Sequence, residues 1–188
     1  MRKIMLVTLA CTLIAIVGLK FADVLWAQAK EEAAVLFSFE KPEDLKAWQV
    51  EDELKDKVQL SVVAEHATDG KAALKMVLKP HEWPGMFTTS LPKDWSGYTQ
   101  LKFDVFADEG ADLCVRIDDT ESKDYGSRYN SEGNFCNKGA NTVTLWLSDV
   151  GGKIDLKKVK ALYIFSTNVQ KDLTFTIDNI RLVKAAAK

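Results

Sequence analysis

Gln100-Leu101-Lys102-Phe103-Asp104-Val105-Phe106-Ala107 decides the fold: Leu101, Phe103 and Val105 point one way, Lys102 and Asp104 the other. A period of two is the mark of an extended chain with one face on a core and the other in water. Thr142 to Leu147 repeats it, with Val143, Leu145 and Leu147 alternating with Thr142 and Thr144. Working outward, further short apolar runs are Val35-Leu36-Phe37-Ser38-Phe39, Val58 to Val63, Ala72 to Leu78, Leu113 to Asp118, Ala161 to Ser166 and Leu173 to Val183. Asp69-Gly70, Glu109-Gly110, Asn137-Lys138-Gly139 and Gly151-Gly152 mark turns between them. Short alternating runs between turns, without repeats or a low-complexity linker, predict an all-β fold, an antiparallel β-sandwich. One helical turn is expected at 42–48, where Pro42 stands at a helix start followed by the acidic Glu43 and Asp44.

Arg2 and Lys3 precede an apolar stretch from Ile4 to Leu19, and Ala27-Gln28-Ala29 forms a small-x-small site ahead of Lys30-Glu31-Glu32. That order predicts a secretory signal over residues 1–29 and a secreted or periplasmic protein. An uncleaved membrane anchor is the alternative, and a lipoprotein cut at Cys11 fits the spacing less well. Residues 30–188, about 160 in number, suit a single domain with a sizeable core. Removing 1–29 takes away Arg2, Lys3, Lys20 and Asp23, so 25 basic and 27 acidic residues become 22 and 26. No basic face with interleaved aromatics remains, which argues against a nucleic-acid partner. The even pair Cys114 and Cys136 predicts a disulfide in an exported chain, with two buried thiols as the alternative. Neither cysteine has the neighbours a zinc site needs.

Several of these segments occur together in a familiar order. They are Phe37-Ser38-Phe39-Glu40 with Trp48 behind it, Thr68-Asp69-Gly70-Lys71-Ala72-Ala73-Leu74, and Asp94-Trp95-Ser96-Gly97-Tyr98 leading into Leu101 to Val105. Asn141-Thr142-Val143-Thr144-Leu145 and Ile177-Asp178-Asn179-Ile180-Arg181-Leu182 complete the set. Over Val35 to Val183 the chain resembles the galactose-binding-like jelly-roll domains, many of them carbohydrate-binding modules attached to secreted glycoside hydrolases. The resemblance implies a jelly roll and a carbohydrate partner. It also implies a structural calcium held by side-chain oxygens of Glu40 and Asp178, with backbone carbonyls near Gly70 and Lys71. Asp178 accepting hydrogen bonds from a turn is the alternative. Trp95 and Trp48 are expected to plug the ends of the sandwich.

Sugar recognition combines a flat aromatic ring with planar hydrogen-bonding groups. Arg116 and Asp118, followed by Tyr125, Arg128, Tyr129 and Asn130, concentrate such groups. With Leu113, Val115 and Ile117 toward the core, Cys114, Arg116 and Asp118 share the opposite face; a solvated Arg116–Asp118 ion pair is the plain alternative. The expected disulfide would brace the loop carrying Tyr125 and Arg128. Trp83, between Pro80 and Pro84, and Trp146, out of phase with Val143, Leu145 and Leu147, are the candidate platforms. Phe106, Tyr163 and Phe165 break phase in the same way and are expected to form a small second apolar layer.

Catalysis is not expected. Asp118 and Asp119 are adjacent, so they point to opposite faces and cannot flank one glycosidic bond. His66 and His81 have no nucleophile pattern beside them. The rival is a protein-interaction module for another envelope protein; a membrane enters only if the N-terminal segment is retained. A groove combining an aromatic with Arg and Asp favours sugar, and a broad apolar patch favours a protein.

Overall fold

The computed structural model describes residues 32–131 and 133–184. The expected signal segment, 1–29, lies outside them, as does the chain end at 185–188. Among the described residues are twelve strands in two antiparallel sheets. The back sheet holds β1 (Ala33–Phe37), β3 (Val58–Val63), β4 (Ala73–Leu78), β6 (Gln100–Ala107), β10 (Gly139–Trp146) and β12 (Leu173–Val183). Its order is β10-β6-β12-β4-β3, with β1 beside the end of β12. The front sheet holds β2 (Trp48–Gln49), β5 (Gly85–Thr88), β7 (Ala111–Asp119), β8 (Tyr129–Asn130), β9 (Asn134–Cys136) and β11 (Val159–Phe165). Its order is β2-β5-β11-β7-β8, and β9 pairs with the start of β7. The helical turn expected after Pro42 is α1 (Pro42–Lys46), with Pro42 in its first turn. A second short helix, α2 (Leu147–Gly151), directly follows β10.

The alternation read in the sequence decides which face is buried. Leu101, Phe103 and Val105 of β6 lie in the core, with Leu145 of β10 opposite Leu101 and Val143 opposite Phe103. β12 shows how a phase slip is absorbed. Phe175 and Ile177 face inward, then Ile180 and Leu182 do, so the pattern shifts by one residue. A bulge between Asp178 and Arg181 takes up the extra residue, with Asn179 at φ 53°, a conformation that Asn tolerates better than most side chains. β1 ends at Phe37, two residues before the predicted end. Phe39 takes φ 58°, which turns the chain while placing its ring in the core, 6.3 Å from that of Phe37. A bulky residue is strained there, and its burial holds it.

Both tryptophans expected in the core are there. Trp95 is fully buried and donates from Nε1 to the Pro92 carbonyl at 2.8 Å, and Trp48 packs against Phe37 with ring centroids 5.3 Å apart.

The disulfide is a correction. Cys114 and Cys136 are both buried free thiols. Ala111, Leu113, Val115 and Ile117 alternate with Cys114, so Cys114 belongs to the outer face of β7. Cys136 pairs with Ala111 and is buried in the core. The two side chains leave the sheet on opposite faces, which no disulfide geometry spans.

Candidate functional site

The outer face of the front sheet carries a row of side chains that crosses its five main strands. Register places Gln49 beside Phe87, Phe87 beside Tyr163, Tyr163 beside Arg116 and Arg116 beside Asn130. Phe87 and Tyr163 stack at 5.1 Å, and the Arg116 guanidinium lies 4.1 Å over the Tyr163 ring. Asp118, two residues along the same face, fixes that guanidinium with a two-point bond, Nε to Oδ1 at 2.8 Å and Nη2 to Oδ2 at 2.6 Å. A planar fork met by a planar carboxylate leaves Arg116 little freedom. Burial alone would lower the Arg116 pKa, but the bond to Asp118 and its charge, with Tyr163 and Glu51, together outweigh it, and the cation is held more firmly than usual. Burial raises the Tyr163 pKa, Asp118 and Glu51 adding to it against Arg116, so its hydroxyl keeps its proton.

Loops turn this row into a groove of about 350 Å³, lined among others by Trp83, Phe87, Tyr125, Tyr163 and Phe165. Gly85 makes room in its floor. A Cβ at that position would come within 2.3 Å of the Phe165 Cβ and 2.6 Å of the Ile164 carbonyl oxygen, so only glycine permits the approach of β5 to β11.

Trp83 is 56% exposed on one wall. Its loop is sewn to a neighbouring segment by backbone bonds: His81 and Val169 exchange two, Asn168 N–H donates to the Glu82 carbonyl, and Ser166 N–H to that of Pro84. That ladder, beyond the two prolines, makes the platform stiff. Tyr125 and Arg128 stand on the other loop. Asp124 and Ser127 form a reciprocal cap there, and Ser122 Oγ, whose single proton serves either Asp119 or the Ser127 carbonyl, lies 2.9 Å from the latter. Asp119 anchors the start of the loop by accepting from Glu121 N–H and Ser122 Oγ, and it also accepts from Asp155 N–H on the far side. The bracing expected of a disulfide is supplied by these hydrogen bonds.

The structure thus brings together Trp83, Arg116, Tyr125 and Arg128, with Asp118 behind Arg116. Trp146 is not with them. It is exposed, as its phase implied, but it ends β10 at the edge of the back sheet. Phe106 is also apart from Tyr163 and Phe165, because it lies on β6, face to face with His66 at 3.4 Å. Phe87 and Glu51 are among the groove residues that sequence reasoning missed; for Phe87 the signal available was Pro84-Gly85 ahead of a short apolar run.

Glu40 and Asp178 do meet at one loop, as the resemblance implied. What their oxygens face there is donors. Asp178 Oδ2 accepts from Thr68 N–H at 2.7 Å and Asp69 N–H at 2.8 Å, its Oδ1 accepts from Asn179 N–H, and Glu40 Oε1 accepts from Lys71 and Ala72 N–H. Among the described residues no group of three or more His, Cys, Asp or Glu is placed to hold a metal ion. The pair therefore fits a loop anchor rather than a ready calcium cage.

No protein-family model matches the chain, and no curated protein matches it in sequence. Solved structures do match. A family 11 carbohydrate-binding module from Clostridium thermocellum, in complex with a β-1,3-1,4-mixed-linked tetrasaccharide, has a TM-score of 0.64 at 16% identity over 83% of this chain and 98% of its own. The chain shares that fold. A xylan-binding family 22 module from Paenibacillus barcinonensis matches with a TM-score of 0.56 at 17% identity, over 84% of this chain and all of its own. An exo-β-agarase matches with a TM-score of 0.65 at 17% identity, over 82% of this chain and 26% of the enzyme. The jelly roll expected from the sequence is the fold observed.

Proposed function

We propose that this chain is an exported, non-catalytic module that binds a poly- or oligosaccharide in the groove of the front sheet. One observation carries the reading: a continuous row of Phe87, Tyr163 and Arg116, with Arg116 pinned by Asp118, lies open between the rings of Trp83 and Tyr125. Aromatic faces cover the apolar side of a pyranose, and a fixed guanidinium reads its hydroxyls with little entropy left to lose. The similar modules that bind a mixed-linked tetrasaccharide and xylan give the reading independent support.

A binding role is preferred to hydrolysis on the site's own chemistry. Among the described residues Glu51 is the only acidic one lining the groove, Asp118 is committed to Arg116 and Asp119 to backbone N–H groups. Glycoside hydrolysis ordinarily needs two carboxylates flanking one bond. Export rests on the signal-like order of residues 1–29. The test is a glycan array with the purified protein beside Trp83→Ala and Tyr163→Ala. Selective binding by the parent, lost in both variants, is the expected result. A folded protein that binds no glycan overturns the proposal and points to a protein partner for the same aromatic surface.

A further inference from the structure

The two arginines of the groove are built differently, and the difference has chemical meaning. Arg116 meets a carboxylate at two points and is electrically answered. Arg128 also lines the groove, its guanidinium 5.6 Å from the centre of the Tyr125 ring. Its Nε is buried away from solvent and has no hydrogen-bond partner, and among the described residues no carboxylate forms an ion pair with it. Asp124 lies near enough to sense its charge but forms no ion pair with it, its Oδ1 accepting from the N–H and hydroxyl of Ser127. Glu51, the groove's own acid, acts on Arg116 and Tyr163.

A guanidinium stays protonated at any pH a protein meets, and a desolvated donor left unpaired is costly. The fold nevertheless sets the Arg128 side chain in the lining of the groove, and no carboxylate among the described residues forms an ion pair with it. We infer that Arg128 is a specificity residue for an anionic group on the bound polysaccharide, a uronate carboxylate or a sulfate ester. Both offer a pair of oxygens that match the planar fork of Arg, and both bring a negative charge to a guanidinium that no described carboxylate meets. A sugar hydroxyl satisfies one donor and leaves the charge unanswered.

This inference rests on the proposed carbohydrate function, and the experiment separates the two. Calorimetric titrations use a uronate polymer and its carboxyl-reduced form, a sulfated galactan and its desulfated form, and neutral mixed-linkage β-glucan, each against the parent protein, Arg128→Gln and Arg128→Lys. The expected result is that one acidic polymer binds at least ~10-fold more tightly than its neutralised form, and which pair shows the difference names the group. Arg128→Gln should abolish the difference, and Arg128→Lys, which keeps the charge but not the fork, should restore part of it. Should a variant fail to fold, the parent alone decides, because the acidic preference must shrink as salt rises from about 0.05 to about 0.5 M. Neutral chains binding as well as acidic ones would overturn the inference and leave the groove reading intact. Binding to no chain at all would overturn both.

Discussion

Arg116 and Asp118 stand two residues apart on one face of β7, and their bidentate bond holds the guanidinium flat above Tyr163. The pair is partly shielded, so the plain reading of a solvated surface ion pair undervalues it. Its product is orientation. Asp118→Asn retains the size and removes the charge that fixes the fork, so glycan affinity is expected to fall by ~10-fold, about 1.4 kcal/mol. Titration calorimetry checks it; unchanged affinity would mean that Arg116 does not touch ligand.

Trp83 and Trp146 are equally exposed, but only Trp83 lines the groove. Trp83→Ala is expected to weaken binding by ~10-fold or more, and Trp146→Ala to leave it unchanged. The reverse order in a pull-down on the cognate polysaccharide would move the site to the back sheet.

The thiols make a separate claim. Burial, and secondarily Asp112, raises both, Cys136 to about 11, so neither reacts readily in the folded protein. Alkylation after denaturation without reductant should label both Cys114 and Cys136, and a reductant should leave the melting temperature unchanged. A single disulfide-linked peptide by mass spectrometry would contradict the register of β9.

Asp178 is buried and accepts from Thr68, Asp69 and Asn179 N–H. Asp178→Ala leaves those donors unpaired and is expected to cost about 3 kcal/mol, a melting shift of roughly 10 °C. The shift should be the same in calcium and in chelator. A calcium-dependent melting temperature in the parent would show that the loop rearranges around an ion.

Asp119 supplies a pH dependence. Burial opposes its charge, but donors from Asp155, Ser122 and Glu121 outweigh it, and its pKa is lowered. A carboxylate held lower in the folded state stabilises it above the unfolded value, about 3.9, and that contribution is lost as pH falls through the folded value. Unfolding between about pH 5 and 2.5 should therefore be flatter in Asp119→Asn, which begins less stable at neutral pH. Parallel curves would remove Asp119 from the loop's support.

The strands legible in the sequence were those long enough to repeat a pattern, such as β6 and β10. β2, β5 and β8 have four residues or fewer, too few to express a period, and Phe87 was lost with β5. Tyr163 betrayed itself by breaking phase between Leu162 and Ile164, as Trp146 did. Phase names the face but not the sheet, which is why Trp146, on the back sheet, and Phe106 were read alongside groove residues. The cysteines failed for a related reason. Their spacing suits a hairpin, but which face each occupies depends on the loop that sets β9 against Ala111, and one residue of slip reverses it.

The row from Gln49 to Asn130 has one more consequence. Its rungs are hydrogen-bonded strands, and strands in a sheet sit about 4.8 Å apart, so five of them span about 19 Å. The interval is fixed by peptide geometry and cannot be tuned by mutation. What can change is the side chain at each rung, so the groove works as a ruler with constant graduations and interchangeable marks. Altered preference would then arise one step at a time, each substitution rewriting the contact at a single strand while the spacing of its neighbours holds.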